Sequence, residues 1–415
     1  MSLCEIPSLS RRALLGTAGG CFAWAFVPRF AHAAGARDMR LITIVLRGAL
    51  DGLSAVAPVG DPDYAGLHGT LALSLTGDRP ALALDGFFAL NPAMPNFARL
   101  FRAGQAAVVH ATATGYRERS HFDGQDVLES GQAGPGITQS GWLNRAILAL
   151  PQGERANIGA QGDRVSAAGL AVGTVAPLII RGSAPVLGWA PQVGALANDD
   201  LARRVLDLYG HRDPGLASAL SEGLATDRMA GAAAGSNTRG SMDSPGGMRQ
   251  AAEGAARLLV ADDGPRIAAL AFDGWDTHVN EGGATGRLAQ LLGGLDGALA
   301  ALETGLGEHW RDTTVVVVTE FGRTVHINGT VGTDHGTGTT AFLAGGALKG
   351  GMVMADWPGL AAPRLYEGRD LMPTTDLRAV LKGVLATQWG LSPSTLTSAI
   401  FPGSEGVRPA TELFA

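Results

Sequence analysis

The chain has 415 residues, 60 of them glycine, and a formal net charge of −6. No basic run stands anywhere in it, so nucleic acid and an anionic membrane surface are excluded as expected partners. Both cysteines, Cys4 and Cys21, fall near the amino terminus. The rest must be held by a core and not by disulfides, and it is long enough for one large α/β domain.

The chain opens with an address. Ser10-Arg11-Arg12-Ala13-Leu14-Leu15 sets a twin arginine before a weakly apolar run, and Ala31-His32-Ala33 fits a small-residue cleavage site. A spanning helix needs about 20 predominantly apolar residues, and Ala13 to Val27 is shorter and rich in Gly and Ala. Residues 1–33 are therefore expected to be a twin-arginine signal read by the twin-arginine export machinery. Residues 34–415 are expected to form one periplasmic or secreted domain with no stable membrane span. The leader carries +2 of the total −6, which leaves about −8 on the mature chain.

Leu41–Leu46 is an apolar β-branched run, a strand buried on both faces. It runs into Arg47-Gly48-Ala49-Leu50-Asp51-Gly52. Pro92 to Gly104 predicts a helix with Pro95 near its start, and Ala106–His110 a second strand. A loop then brings Arg117, Arg119 and Ser120 to the start of a helix from about His121 to Glu129. Serine there is an N-cap, and the same place suits an anion. Gly141 to Leu148 predicts a short helix, Ala176–Arg181 a strand, and Leu201–Tyr209 a helix. The Ala, Gly, Ser and Asp-rich stretch near 213–247 reads as a flexible insertion in the same domain.

Met248 to Val260 predicts another helix, and Arg266–Phe272 the third buried strand, ending in Asp273-Gly274-Trp275-Asp276-Thr277-His278. Asp276 and His278, two apart in an extended loop, point the same way and form a plausible donor pair for a divalent metal. Leu288 to Leu302 predicts a helix over the sheet. The four valines Val315–Val318 then lead to Thr319, Glu320, Phe321, Gly322 and Arg323, and a glycine-rich loop carries Asp334, His335 and Gly336. Thr340–Ala344 predicts a further strand and Asp376 to Trp389, capped by Thr375, the last helix. Alternating strands and helices imply a mostly parallel sheet whose carboxyl edge gathers these residues. His68, His211, His309 and His326 stand alone and read as surface or loop residues.

RGALDGL at Arg47–Leu53, RSHFDGQDVLESG at Arg119–Gly131, FDGWDTH at Phe272–His278 and TEFGRTVHINGTVGTDHGTG at Thr319–Gly338 resemble the domain of unknown function 1501 family, usually placed with alkaline phosphatases and sulfatases. The resemblance spans nearly all of the mature chain. It implies a three-layer α/β/α sandwich and metal-assisted attack on phosphate or sulfate esters. It also implies Asp51, Asp276, His278, Glu320 and His335 as metal ligands, with Asp334, Asp273 or His121 as alternatives. Ser120 would be the nucleophile or its stand-in. Phe321 stands where the superfamily commonly has histidine, so the resemblance leaves one or two ions, of Zn, Mn or Ca.

Two functions follow. In the first, an exported hydrolase acts on a small-molecule or polymer-borne ester. The metal lowers the pKa of Ser120 or of water, Arg47, Arg119 or Arg323 grips the oxyanion, and His121 or His335 protonates the leaving group. In the second, the chain is a catalytically inactive exported binding or assembly protein on the same fold.

Overall fold

A computed structural model describes residues 38–150, 168–191 and 241–414 apart from 263, with scattered residues between 205 and 221. The expected leader (1–33) lies outside the described residues, as do most of the helix at Leu201–Tyr209 and of the insertion at 213–247.

The larger sheet is built from β1 (Arg40–Leu46), β2 (Ala106–Ala113), β3 (Gly169–Val172), β4 (Val186–Trp189), β5 (Ile267–Phe272), β6 (Thr313–Thr319), β7 (Thr339–Ala344), β8 (Met352–Met354) and β9 (Thr375–Asp376). The order is β8-β2-β7-β6-β1-β5-β3-β4, with β9 also on β2. Every pairing is parallel except those of β7, which runs antiparallel between β2 and β6. The central strands β1, β5 and β6 are wholly buried because both sheet faces are covered.

On one face Ile42, Ile44, Leu270, Val315 and Val317 pack against α1 (Pro95–Arg102) and two helices farther along the chain. On the other, Leu41, Val45, Val316 and Val318 meet α3 (Trp142–Ala149) and the carboxyl-terminal helix. Between α1 and α3 lies α2 (His121–Ser130). The remaining long helices are α4 (Pro245–Val260) and α5 (Arg287–Leu306) on the first face, and α6 (Leu377–Trp389) on the second. The protein is a three-layer α/β/α sandwich with a mostly parallel central sheet. A small antiparallel sheet of Val56–Ala57, Ala89–Leu90 and Leu82–Ala83 lies apart from it.

Three expectations change. Ala176–Arg181 is no strand: Leu178–Ile180 is a single 3₁₀ turn after Pro177, which has no N–H for a ladder. The strands there are β3 and β4, each too short to show a period. The cap of α6 is Asp376 and not Thr375, because it is the Asp376 carboxylate that accepts from Arg378 N (2.9 Å). His68 is fully buried, with its Nε2 3.3 Å from Asp51 Oδ2. It gains there the partner that its isolation in the sequence concealed.

Register decides what the sheet presents. Leu46 pairs with both Phe272 and Thr319, so the three central strands end level. The next residues, Arg47, Asp273 and Glu320, leave the same edge side by side. The antiparallel β7 starts at that edge, so the loop from Glu320 to Gly338 must fold back across it.

Candidate metal centre

That loop is folded by its glycines. Gly322 N donates to Thr337 O (2.9 Å) and Gly336 N to Gly322 O (2.8 Å), and Arg323 bridges to His335 in antiparallel fashion. A Cβ on Gly336 would lie 2.4 Å from the Arg323 carbonyl. Glycine is what lets the two halves of EFGR…GTDHG touch.

His121, the first residue of α2, meets this loop. Its Nε2 is 2.9 Å from His335 Nε2, and His278 Nε2 is 3.0 Å from the same atom. Asp276 Oδ1 lies 3.5 Å from His121 Nε2, 3.0 Å from His278 Nε2 and 3.4 Å from His335 Nε2. The His121 and His335 nitrogens and the Asp276 oxygen therefore form a group that could hold one ion, and His278 Nε2 flanks it beside His335 and Asp276. Around a tetrahedral zinc with bonds of about 2.0–2.1 Å, ligand atoms stand roughly 3.3 Å apart.

The Nδ1 atoms explain why this is unlike an ordinary histidine cluster. His121 Nδ1 faces Glu320 Oε1 (2.8 Å), His278 Nδ1 faces Asp334 Oδ1 (3.0 Å), and His335 Nδ1 faces the Arg119 carbonyl (2.9 Å). Each is opposite an acceptor and so carries the hydrogen. In the neutral rings all three Nε2 atoms then present lone pairs to one another. Nothing but a proton or a cation relieves that, and the donor set suits a divalent ion. Between His121 and His335, the surroundings favour a proton on His121. The Glu320 hydrogen bond raises its pKa, whereas burial and the nearby His121 charge lower that of His335.

The other expected ligands sit behind this point. Glu320 is fully buried, and it accepts from His121, Gly48 N (2.9 Å), Gln125 (3.1 Å) and the Thr319 hydroxyl (2.9 Å). Burial works to raise its pKa, but these donors win and hold it below the usual value. Glu320 is thus the carboxylate that orients His121 and not a ligand. Glu320→Gln is expected to weaken divalent-metal binding about 10–100-fold in chelator competition. A change below about twofold would mean that Glu320 only anchors Gly48.

Asp51 is likewise turned inward. Its Oδ1 caps the helical turn Gly52–Ala55, accepting from Leu53 N (2.9 Å) and Ser54 N (3.1 Å). Asp334 supports His278. Phe321, 2 % exposed, stacks on His121 at 5.0 Å and forms the wall behind the imidazoles.

No expected anion-gripping arginine is free. Arg47 is paired with buried Glu129 (2.6 Å), and Arg119 with Asp370 (2.8 Å) and Glu367 (2.5 Å). Arg119 serves the site through its carbonyl, which a left-handed backbone (φ 59°) turns toward His335. Such a conformation in a non-glycine residue costs about 1–3 kcal/mol and persists only where its surroundings enforce it. The Arg323 guanidinium is fully buried, and its Nη1 donates to Asp276 Oδ1 (2.6 Å). Against burial, that pairing holds the Asp276 carboxyl below its usual pKa. Ser120 caps α2, accepting from Asp123 N at a long 3.5 Å.

The sandwich, with imidazoles and a carboxylate gathered at the carboxyl edge of its sheet, places the protein among α/β proteins with a candidate metal centre at the strand ends. Residues 38–400 match the family model described as Protein of unknown function (DUF1501), and the chain belongs to that family. Among solved structures it is similar to Ps i-CgsB, at 11% identity and TM-score 0.40, over 89% of this chain and 74% of that one. The same protein in complex with k-i-k-neocarrahexaose matches at 10% identity and TM-score 0.39, over 76% and 68%. The phosphonate monoester hydrolase of Agrobacterium radiobacter matches at 13% identity and TM-score 0.34, over 89% and 78%. No curated protein matches in sequence.

Proposed function

We propose that this protein is an exported metal-dependent hydrolase of phosphate or sulfate esters, working in the periplasm or outside the cell. One observation carries the metal: three histidines with Nδ1 committed turn their Nε2 atoms on Asp276 Oδ1 at the edge where this fold opens. His121, Asp276 and His335 would hold a divalent ion, with His278 as a further donor. Such an ion, when bound, lowers the pKa of a coordinated water or hydroxyl and offsets charge on an ester oxygen.

The residues around it have defined tasks. Glu320, Asp334 and the Arg119 carbonyl fix the ring orientations. Arg323 holds Asp276 in its ionised form. Ser120 sits beside His121 at the start of α2, its hydroxyl only weakly engaged by the cap, where it can approach an ester. The twin-arginine leader accounts for export, since that route carries proteins already folded.

The test is metal content by mass spectrometry on the mature protein, followed by a panel of phosphate and sulfate esters. About one or two ions per chain, lost in Asp276→Ala/His278→Ala, with turnover that the same change abolishes, is the expected result. A well-folded protein without metal overturns it. Ser120→Ala should cost about 0.5 kcal/mol in stability yet abolish turnover if the serine is the nucleophile. Full turnover in that variant would remove the covalent route.

One observation favours a second reading, a catalytically inactive exported binding or assembly protein: Arg47, Arg119 and Arg323 are all engaged by carboxylates. In that case metal removal lowers the unfolding free energy and no ester is turned over.

A further inference from the structure

A pair of buried carboxyl groups lies behind the metal centre. Asp51 is 1 % exposed and Glu281 fully buried, and their carboxyl groups meet within hydrogen-bonding reach. Asp51 Oδ2 has His68 Nε2 at 3.3 Å. Glu281 Oε2 accepts from the Thr333 hydroxyl (2.7 Å), while its buried Oε1 receives no N–H or O–H donor among the described residues. Two carboxylates touching away from water repel, and a proton held between them removes the conflict.

Of the two, Glu281 is the group favoured to hold that proton. Burial and then the Asp51 charge push its carboxyl well above the usual range. Asp51 is held at about 2, its own burial being outweighed by the contact with His68. The charged groups facing the pair are His68 and Arg323.

From Glu281 an unbroken chain leads to the site. The Thr333 hydroxyl that donates to Glu281 accepts from Arg323 Nε (3.2 Å), and Arg323 Nη2 donates to the Thr333 carbonyl. Arg323 Nη1 then reaches Asp276 Oδ1 at 2.6 Å. The geometry points to Glu281 as a positioning residue for the candidate metal centre: packed against Asp51 it holds Thr333, and through Thr333 and Arg323 it fixes where Asp276 presents Oδ1. As the neutral acid it leaves the Arg323 charge to Asp276. As a carboxylate it would compete for the same guanidinium and draw it inward.

The inference rests on the metal reading, and its test separates the two. Glu281→Gln keeps a donor toward Asp51 and an acceptor toward Thr333, so zinc affinity by chelator competition should stay within about threefold of the unaltered protein. Glu281→Ala and Thr333→Val break the chain and should weaken zinc binding about 10–100-fold. Infrared difference spectra of the metal-free protein against Glu281→Gln at neutral pH should show a protonated-carboxyl carbonyl band that the variant lacks. Equal losses in Glu281→Gln and Glu281→Ala, unchanged affinity in Thr333→Val, or no such band would overturn the inference. If zinc does not bind the unaltered protein, the metal reading and the positioning role fail together, while the infrared band still decides whether Glu281 carries the proton.

Discussion

Replacing His335 with alanine is expected to weaken zinc binding by about two orders of magnitude. His335 is the hub of the cluster, its Nε2 lying 2.9 Å from His121 Nε2 and 3.0 Å from His278 Nε2. Protein zinc sites contribute about 10–16 kcal/mol in total, so one of three or four donors is worth roughly 3–4 kcal/mol, the source of the hundredfold figure. His335→Ala also frees the Arg119 carbonyl, so the loss should exceed that from His278→Ala, whose ring is more exposed. Binding should also weaken as pH falls, because the proton favoured on His121 competes with the metal. Its pKa is raised above 6.5 by the Glu320 bond, so the competition sets in above that value and grows as pH falls. Isothermal titration with zinc at two pH values checks both points. Equal affinity in His335→Ala and the unaltered protein would rule out the centre as drawn.

Arg323→Ala is expected to lower the unfolding free energy by about 3–5 kcal/mol. Little of this comes from the ion pair as such, since the Asp276 side chain is 41% exposed and solvent screens its half. The weight lies in the groups abandoned inside. The Gly48 carbonyl, the Thr333 carbonyl and the Thr333 hydroxyl each receive a guanidinium N–H and are buried. An orphaned buried acceptor costs about 1–3 kcal/mol, and the emptied space adds to it. Arg323→Lys should recover less than half of the loss, because one ammonium cannot serve acceptors lying in three directions. Urea unfolding of the metal-free proteins measures this without interference from the metal. A cost under about 1 kcal/mol for Arg323→Ala would show that the loop does not depend on this network.

The glycine beside that network was visible in the sequence but not its reason. Gly48 has φ +120°, and a Cβ there would fall 2.4 Å from Asp276 N. In RGALDGL nothing local singles it out. Only the parallel register of β1 with β5 shows that it lets the Asp276 loop close over the strand end.

What the sequence alone determined was the scaffold and the neighbourhood of the site. Long β-branched runs such as Leu41–Leu46 and Val315–Val318 can be buried on both faces only inside a parallel sheet, so the strands, their common edge and the charged residues beyond them followed from composition and order. Ser120 as the cap of α2 followed equally, since local hydrogen bonding decides a helix start. The tertiary structure alone decided which charged side chains face the opening. Glu320 and Asp51 each follow a strand, as Asp276 does, yet they turn inward because buried backbone N–H groups of Gly48, Leu53 and Ser54 need acceptors. His68, Glu281 and Thr333 gain their meaning from partners distant in the chain, Asp51 from His68 at |i−j| = 17 and Thr333 from Glu281 at |i−j| = 52. Strand order places those contacts, and no local period records them. His121, open from the sequence as a candidate acid or an alternative ligand, is placed among the candidate ligands for the same reason: ring direction is set by what holds Nδ1, and Glu320 meets it only when α2 and β6 lie side by side.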